Sequence, residues 1–248
     1  NSPVGGRLAY RNGTVYGNLF SGQILALDKN TGAEQWTFKL PDNIVASPAI
    51  TPGGRLYTGC WDQEFKAVDS NGLVWSFVTG DEVRSTAAIG SNGVVYFGSN
   101  DGWIYAVNES NGAHVWFQEI EGNIEGELLL VEDEGALYVA SSNTYLYKLN
   151  MNTGEPIWST KLDYIVDASP VQGNDGTIYV GSQTDGLGKV FGVNSEDGSI
   201  RFVYQVDAVI PDKILVVGDV IYFGANDRSF YSLWAADANL FVPEVIPE

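Results

Sequence analysis

Leu25-Ala26-Leu27-Asp28-Lys29-Asn30-Thr31-Gly32-Ala33-Glu34-Gln35-Trp36 reads as one strand, a tight turn and the start of a second strand. The chain repeats it. Val68-Asp69-Ser70-Asn71-Gly72-Leu73-Val74-Trp75 is a copy one residue shorter. Further copies run from Val107-Asn108 to Trp116, from Leu149-Asn150 to Trp158 and from Val193-Asn194 to Phe202. The anchors at 36, 75, 116, 158 and 202 are 39, 41, 42 and 44 residues apart. A strand-rich period of about forty residues marks a β-propeller.

A second set of landmarks keeps the same period. Tyr16, Tyr57, Tyr96, Tyr138, Tyr179 and Tyr222 each close a Val-Tyr, Leu-Tyr or Ile-Tyr pair, spaced 41, 39, 42, 41 and 43. Six landmarks predict six units of four antiparallel strands in one domain over 1–248. The first strand of each unit is a short apolar run without clean alternation, such as Ala46 to Ile50 or Thr86 to Ile89, which suits burial on both faces. Asn12-Gly13, Gly53-Gly54, Asn92-Gly93 and Asp175-Gly176 supply hairpin turns. Asp101-Gly102, Asn143-Thr144 and Asp227-Arg228 turn the second strand back. In the fifth unit the gap from tyrosine to turn grows, because of an insertion around Asp185-Gly186-Leu187-Gly188. The sixth unit is worn: Trp234, Ala238 and Val242 stand where Asp, Gly and Trp are expected, and 243–248 reads as an irregular tail. Six units form either a six-bladed ring or part of a seven- or eight-bladed one. The chain starts mid-pattern at Asn1, which reads as a mature or excised segment.

The recurring residues carry a structural explanation. Asp or Asn caps its turn through the side-chain oxygen, and Gly takes positive φ. Trp36, Trp75, Trp116 and Trp158, with Phe202 in the fifth copy, are expected to lie flat between neighbouring sheets, each indole N–H seeking a backbone acceptor. Loss of one such Trp is expected to cost about 3–5 kcal/mol.

Composition narrows the function classes. Thirty-one Asp and Glu against thirteen Lys and Arg give a net charge of −18, which argues against nucleic acid and anionic lipid as partners. A self-repelling, acidic surface suits a soluble domain. Cys60 is the single cysteine, so there is no intrachain disulfide and no cysteine-based metal cluster, and a half-buried packing role is expected for it. No apolar run is long enough to span a membrane as a helix.

The repeat Ala-Leu-Asp-x-x-Thr-Gly-x-x-x-Trp, preceded by Val-Tyr-x-Gly and an Asp-Gly turn, resembles that of the quinoprotein-type, or PQQ-like, β-propellers. The resemblance covers nearly the whole chain. It implies that the Trp docks each blade on the next. The inner Ser47-Pro48 and Ser169-Pro170 are more similar to the non-enzymatic outer-membrane-assembly lipoprotein type than to the dehydrogenases. The enzymes of the superfamily imply adjacent cysteines over the quinone and an Asp base with Glu and Asn on calcium. No such set can be matched here, so PQQ and calcium are expected only if the chain is a quinone-dependent oxidoreductase or its remnant. The resemblance therefore implies a non-catalytic, cofactor-free scaffold outside the cytoplasm, periplasmic, cell-surface or secreted. A ligand-sensing ectodomain of a longer receptor is the third reading.

Candidate site residues lie where the units differ. The entrances of the first strands carry Arg7, Arg84, Glu125, Glu127, Asp167, Asp212 and Lys213. They are expected to ring the mouth of a central channel, Arg7 and Lys213 facing Glu125 and Glu127, either as self-satisfied charges or as a site for a small polar ligand or a protein loop. Trp61, Trp103 and Tyr145, near the turns between second and third strands, form a second candidate surface. His114 reads as a surface residue. Asp28 to Gly32 lacks the distal bidentate Glu of a calcium loop and reads as a capped turn.

Overall fold

The computed structural model describes residues 2–163, 168–184, 186–210 and 213–234. Two compact units divide it, Asn1–Glu125 and Gly126–Glu248. Each holds three antiparallel sheets whose strands pair in chain order, and each sheet is one propeller blade.

In the first unit, sheet one comprises β1 (Ala9–Arg11), β2 (Thr14–Asn18), β3 (Gln23–Asp28) and β4 (Glu34–Lys39). Sheet two comprises β5 (Ala49–Ile50), β6 (Leu56–Gly59), β7 (Glu64–Asp69) and β8 (Gly72–Val78). Sheet three comprises β9 (Ala88–Ile89), β10 (Val94–Gly98), β11 (Trp103–Asn108) and β12 (His114–Glu119). The core lies between sheet faces, because an antiparallel blade with two apolar faces must bury both. Tyr16, Ile24 and Ala26 meet Leu56, Cys60 and Val68. Tyr57, Phe65 and Ala67 meet Val95, Phe97 and Val107. Phe65 stacks on Phe97 with ring centroids 3.9 Å apart. Cys60 is fully buried rather than half-buried, and burial pushes its thiol up to about 11, so it packs and does not react.

In the second unit, sheet four comprises β13 (Leu129–Val131), β14 (Ala136–Ala140), β15 (Tyr145–Asn150) and β16 (Pro156–Lys161), with a 3₁₀ turn, Glu132–Glu134, between its first two strands. Sheet five comprises β17 (Val171–Gln172), β18 (Thr177–Thr184), β19 (Leu187–Asn194) and β20 (Ile200–Val206). Sheet six shows β21 (Leu215–Val217), β22 (Val220–Gly224) and β23 (Phe230–Trp234) among the described residues. The fourth strand and tail expected around Val242 lie outside them. Tyr138, Ala140 and Leu146 pack on Ile178, Val180 and Val193, and Tyr179, Val190 and Ile210 pack on Ile221 and Phe223.

One expectation changes. The first strands were expected to be buried on both faces, but Leu215 and Val217 are exposed and β13 is only half-buried. The fifth-unit insertion lengthens the β18–β19 hairpin, so that Ser182 faces Lys189 and Thr184 faces Leu187.

Candidate functional site

The turn after each third strand is built as its sequence requires. In the first, the Asp28 carboxylate accepts the N–H groups of Asn30 and Thr31, and the Gly32 N–H returns to the Asp28 carbonyl. These bonds hold the Asp28 carboxyl below the usual range, the Thr31 amide contributing most. A β-bulge follows in all five complete sheets, for example between Ala26 and Leu27, and sets the aromatic residue opposite Ala26, Ala67, Ala106, Lys148 or Gly192. The bulge was not anticipated from the sequence.

Trp75 then reaches the next sheet. Its Nε1–H donates to the Glu109 carbonyl at 3.1 Å, and that oxygen also accepts from Tyr57 Oη at 3.1 Å and Arg55 Nη1 at 3.2 Å. Trp158 does the same in the second unit, donating to the Ser195 carbonyl at 3.0 Å beside Lys148 Nζ at 2.8 Å. Trp36 packs in the core between sheets one and two, Trp116 is buried against Tyr96, and Phe202 packs on Tyr179.

Charged pairs stand at the strand entrances of both units. Arg84 pairs with Glu82 at 2.7 Å and with Glu125 at 3.4 Å. Its guanidinium lies 4.8 Å from the centre of the Trp61 ring, which in turn meets Phe20 edge-on at 5.3 Å. In the second unit Lys213 Nζ forms an ion pair with Glu127, from sheets six and four. Arg7 is exposed, and its backbone N–H donates to Ser47 Oγ at 2.9 Å. Asp167 and Asp212 lie outside the described residues.

The Arg7 bond is one of a series. Ser47 N–H donates to Thr86 Oγ1 at 3.0 Å, and Glu127 N–H donates to Ser169 Oγ at 2.9 Å. The Ser of each Ser-Pro pair thus accepts the strand-entrance amide of the preceding sheet. The two charged groups have different surroundings: Arg84 has an aromatic base, whereas Lys213 and Glu127 are partly exposed.

Trp61, Trp103 and Tyr145 each meet different neighbours. Trp61 belongs with Arg84, Trp103 meets Phe117 at 5.2 Å, and Tyr145 meets Tyr147 at 5.9 Å. Glu82 was missed in the sequence, although Glu82-Val83-Arg84 sets a carboxylate on the same side of an extended chain as the arginine. Lys148 was missed as well. It stands where the first three repeats carry the Ala of Ala-x-Asp/Asn and the fifth carries Gly192, and it is buried against Glu134 at 2.7 Å.

Among the described residues no three His, Cys, Asp or Glu side chains converge on a metal-sized site. The lone Cys60 is buried within the sheets.

The family model described as outer membrane protein assembly factor BamB matches residues 1–100 and 100–186. A protein of that description from Francisella salina is 32% identical over 111 residues, covering 42% of this chain and 21% of that relative. The chain thus aligns with about a fifth of the curated relative's length. The crystal structure of BamB from Moraxella catarrhalis superposes with a TM-score of 0.81 at 20% identity, over 98% of this chain and 77% of that one. A europium-containing methanol dehydrogenase superposes equally well, 0.81, at 13% identity over 98% and 69%. Both are β-propellers, and at these identities the likeness shows fold alone. With three quarters of its length matched by the family model, this chain belongs to the outer membrane protein assembly factor BamB family of PQQ-like β-propellers.

Proposed function

We propose that this chain is a non-catalytic scaffold that binds protein partners outside the cytoplasm, in the outer-membrane protein assembly named for its family. The family match over residues 1–186 is the observation that carries this reading. The strand entrances support a place for the contact. Arg84, braced on Trp61 and flanked by Glu82 and Glu125, is a half-exposed cation whose position is set by an aromatic face and two carboxylates. Such a group recognises a partner loop through charge-assisted hydrogen bonds. Glu127 and Lys213 offer a second, partly exposed charged pair.

The test is co-purification from the envelope fraction of the native host, with recovered proteins quantified by mass spectrometry. Outer-membrane assembly proteins are expected with the wild-type chain, and their recovery is expected to fall about tenfold with Glu125→Gln and Glu127→Gln together. These partly exposed pairs contribute about 1 kcal/mol or less to folding, so the double variant stays folded. Equal recovery would reject the strand entrances as the site, and absence of assembly proteins from the wild-type sample would reject the scaffold reading. The methanol dehydrogenase likeness gives a second reading, a quinone-dependent oxidoreductase. Saturable binding of PQQ with calcium, accompanied by dye reduction, would establish it in place of the first.

A further inference from the structure

The third repeat carries an aromatic groove. Phe77 of β8, Trp103 and Tyr105 of β11, and His114 and Phe117 of β12 line an open cavity of about 350 Å³ at the outer strands of sheets two and three. Tyr105 forms its floor, with Phe77 at 5.3 Å and 61° and Phe97 stacked beneath at 5.3 Å and 15°. Trp103 and His114 flank Phe117 at 5.2 and 4.9 Å.

Asp101 holds the start of β11 and the Tyr105 ring. One carboxylate oxygen accepts the Trp103 backbone N–H at 3.0 Å, and the other accepts the Tyr105 O–H at 2.7 Å and the Gly80 backbone N–H at 2.7 Å. This part recurs: Tyr147 pairs with Asn143 at 2.7 Å and Tyr231 with Asp227 at 2.6 Å. Phe117 does not recur. The residue after the repeated aromatic anchor is Thr37, Ser76, Ser159 or Val203 elsewhere. Phe117 is 53% exposed, and such exposure of a ring where the other repeats carry smaller side chains marks a contact surface.

Charge selects the occupant. The lining holds four carbocyclic or indole rings and one imidazole, and no Lys or Arg. Asp101 lies beneath the rings, and Glu119 faces Trp103 across the β11–β12 ladder. The whole chain carries −18. Electron-rich faces backed by carboxylates attract a cation and disfavour an acidic or neutral polar group.

We propose that this groove receives an arginine or lysine side chain from a basic segment of a partner protein, as a second contact surface distinct from the strand entrances. The ammonium or guanidinium sits over Trp103 and Phe117, and its aliphatic stem lies along Tyr105 and Phe77.

The probe is a fluorescein-labelled peptide alternating arginine with alanine, compared by fluorescence anisotropy with peptides carrying citrulline or glutamate in place of arginine. Wild-type protein is expected to bind the arginine peptide at least about tenfold more tightly than the citrulline peptide. Phe117→Ser, which writes the residue of units two and four, is expected to remove that preference. Phe117→Leu keeps the apolar bulk and the fold and loses only the π face, so it is expected to weaken binding about tenfold with an unchanged melting temperature. Equal binding by wild type and Phe117→Leu, or equal binding of arginine and citrulline peptides, would overturn the proposal. Phe117-dependent capture of phosphatidylcholine vesicles without peptide binding would overturn it in favour of a lipid surface. Glu125→Gln with Glu127→Gln is expected to leave peptide binding unchanged, which separates this surface from the strand-entrance reading.

Discussion

Gly112 shows how one residue serves two requirements. Its φ of +70° suits glycine, and a Cβ there would stand 2.7 Å from Cε3 of Trp75. Gly32 occupies the same turn position at φ +69°, yet a Cβ there would meet nothing within 4 Å. The two positions separate backbone cost from packing cost. Gly32→Ala is expected to destabilise by about 1–2 kcal/mol, the left-handed penalty alone. Gly112→Ala adds an overpacking cost of about 1–3 kcal/mol, since the indole is held by its bond to Glu109. Urea denaturation of the two variants checks this; equal losses would show that the indole moves aside freely.

Among the elements, sheet four departs most from the repeat. Lys148 replaces the usual small residue, and its buried ammonium joins Glu134 and the Ser195 carbonyl of sheet five. Glu134 also accepts from Tyr138 Oη and from Gln172 Nε2 of β17 at 2.6 Å, so one carboxylate ties two sheets together. Burial by itself would raise the Glu134 pKa; the hydrogen bonds from Lys148, Tyr138 and Gln172 outweigh it and hold the carboxyl below its ordinary 4.5. A depressed folded-state pKa contributes stability that is complete above the unfolded value and is lost as pH falls through the folded one. Lys148→Ala, which writes the alanine of the first three repeats, is expected to cost about 1–3 kcal/mol at pH 7. The difference from wild type should shrink below pH 4.5, as Glu134 protonates. Urea titrations at pH 7 and 3.5 read both values; a difference that stayed constant would assign the loss to packing.

For the whole molecule, charge sets the behaviour in solution. Thirty-one carboxylates against thirteen cations repel one another across the surface at neutral pH. Screening by salt relieves that repulsion, since the Debye length falls to about 10 Å at 0.1 M. Raising sodium chloride from about 0.01 to 0.3 M at pH 7 is expected to stabilise by about 1 kcal/mol, or about 2–4 °C in Tm for a chain of this size. A Tm that fell with salt would mean that the ion pairs such as Arg84 with Glu82 outweigh the net repulsion.

The sequence alone determined the architecture, because a propeller repeats its local physics. Each Asp or Asn caps its own turn, each Gly takes its own positive φ, and periodic landmarks announce the sheets without reference to distant contacts. It also marked the strand-entrance charges, by reading where the units diverge. The partners of those charges needed the fold. Lys213 and Glu127 are 86 residues apart, and no spacing rule joins them. Gln172 and Ser195 reach the Lys148–Glu134 pair, and Phe77 reaches the rings of sheet three, only because sheets stack face to face and bring side chains from successive repeats within reach. Local hydrogen bonding wrote the repeat; tertiary packing decided which side chains its variations meet.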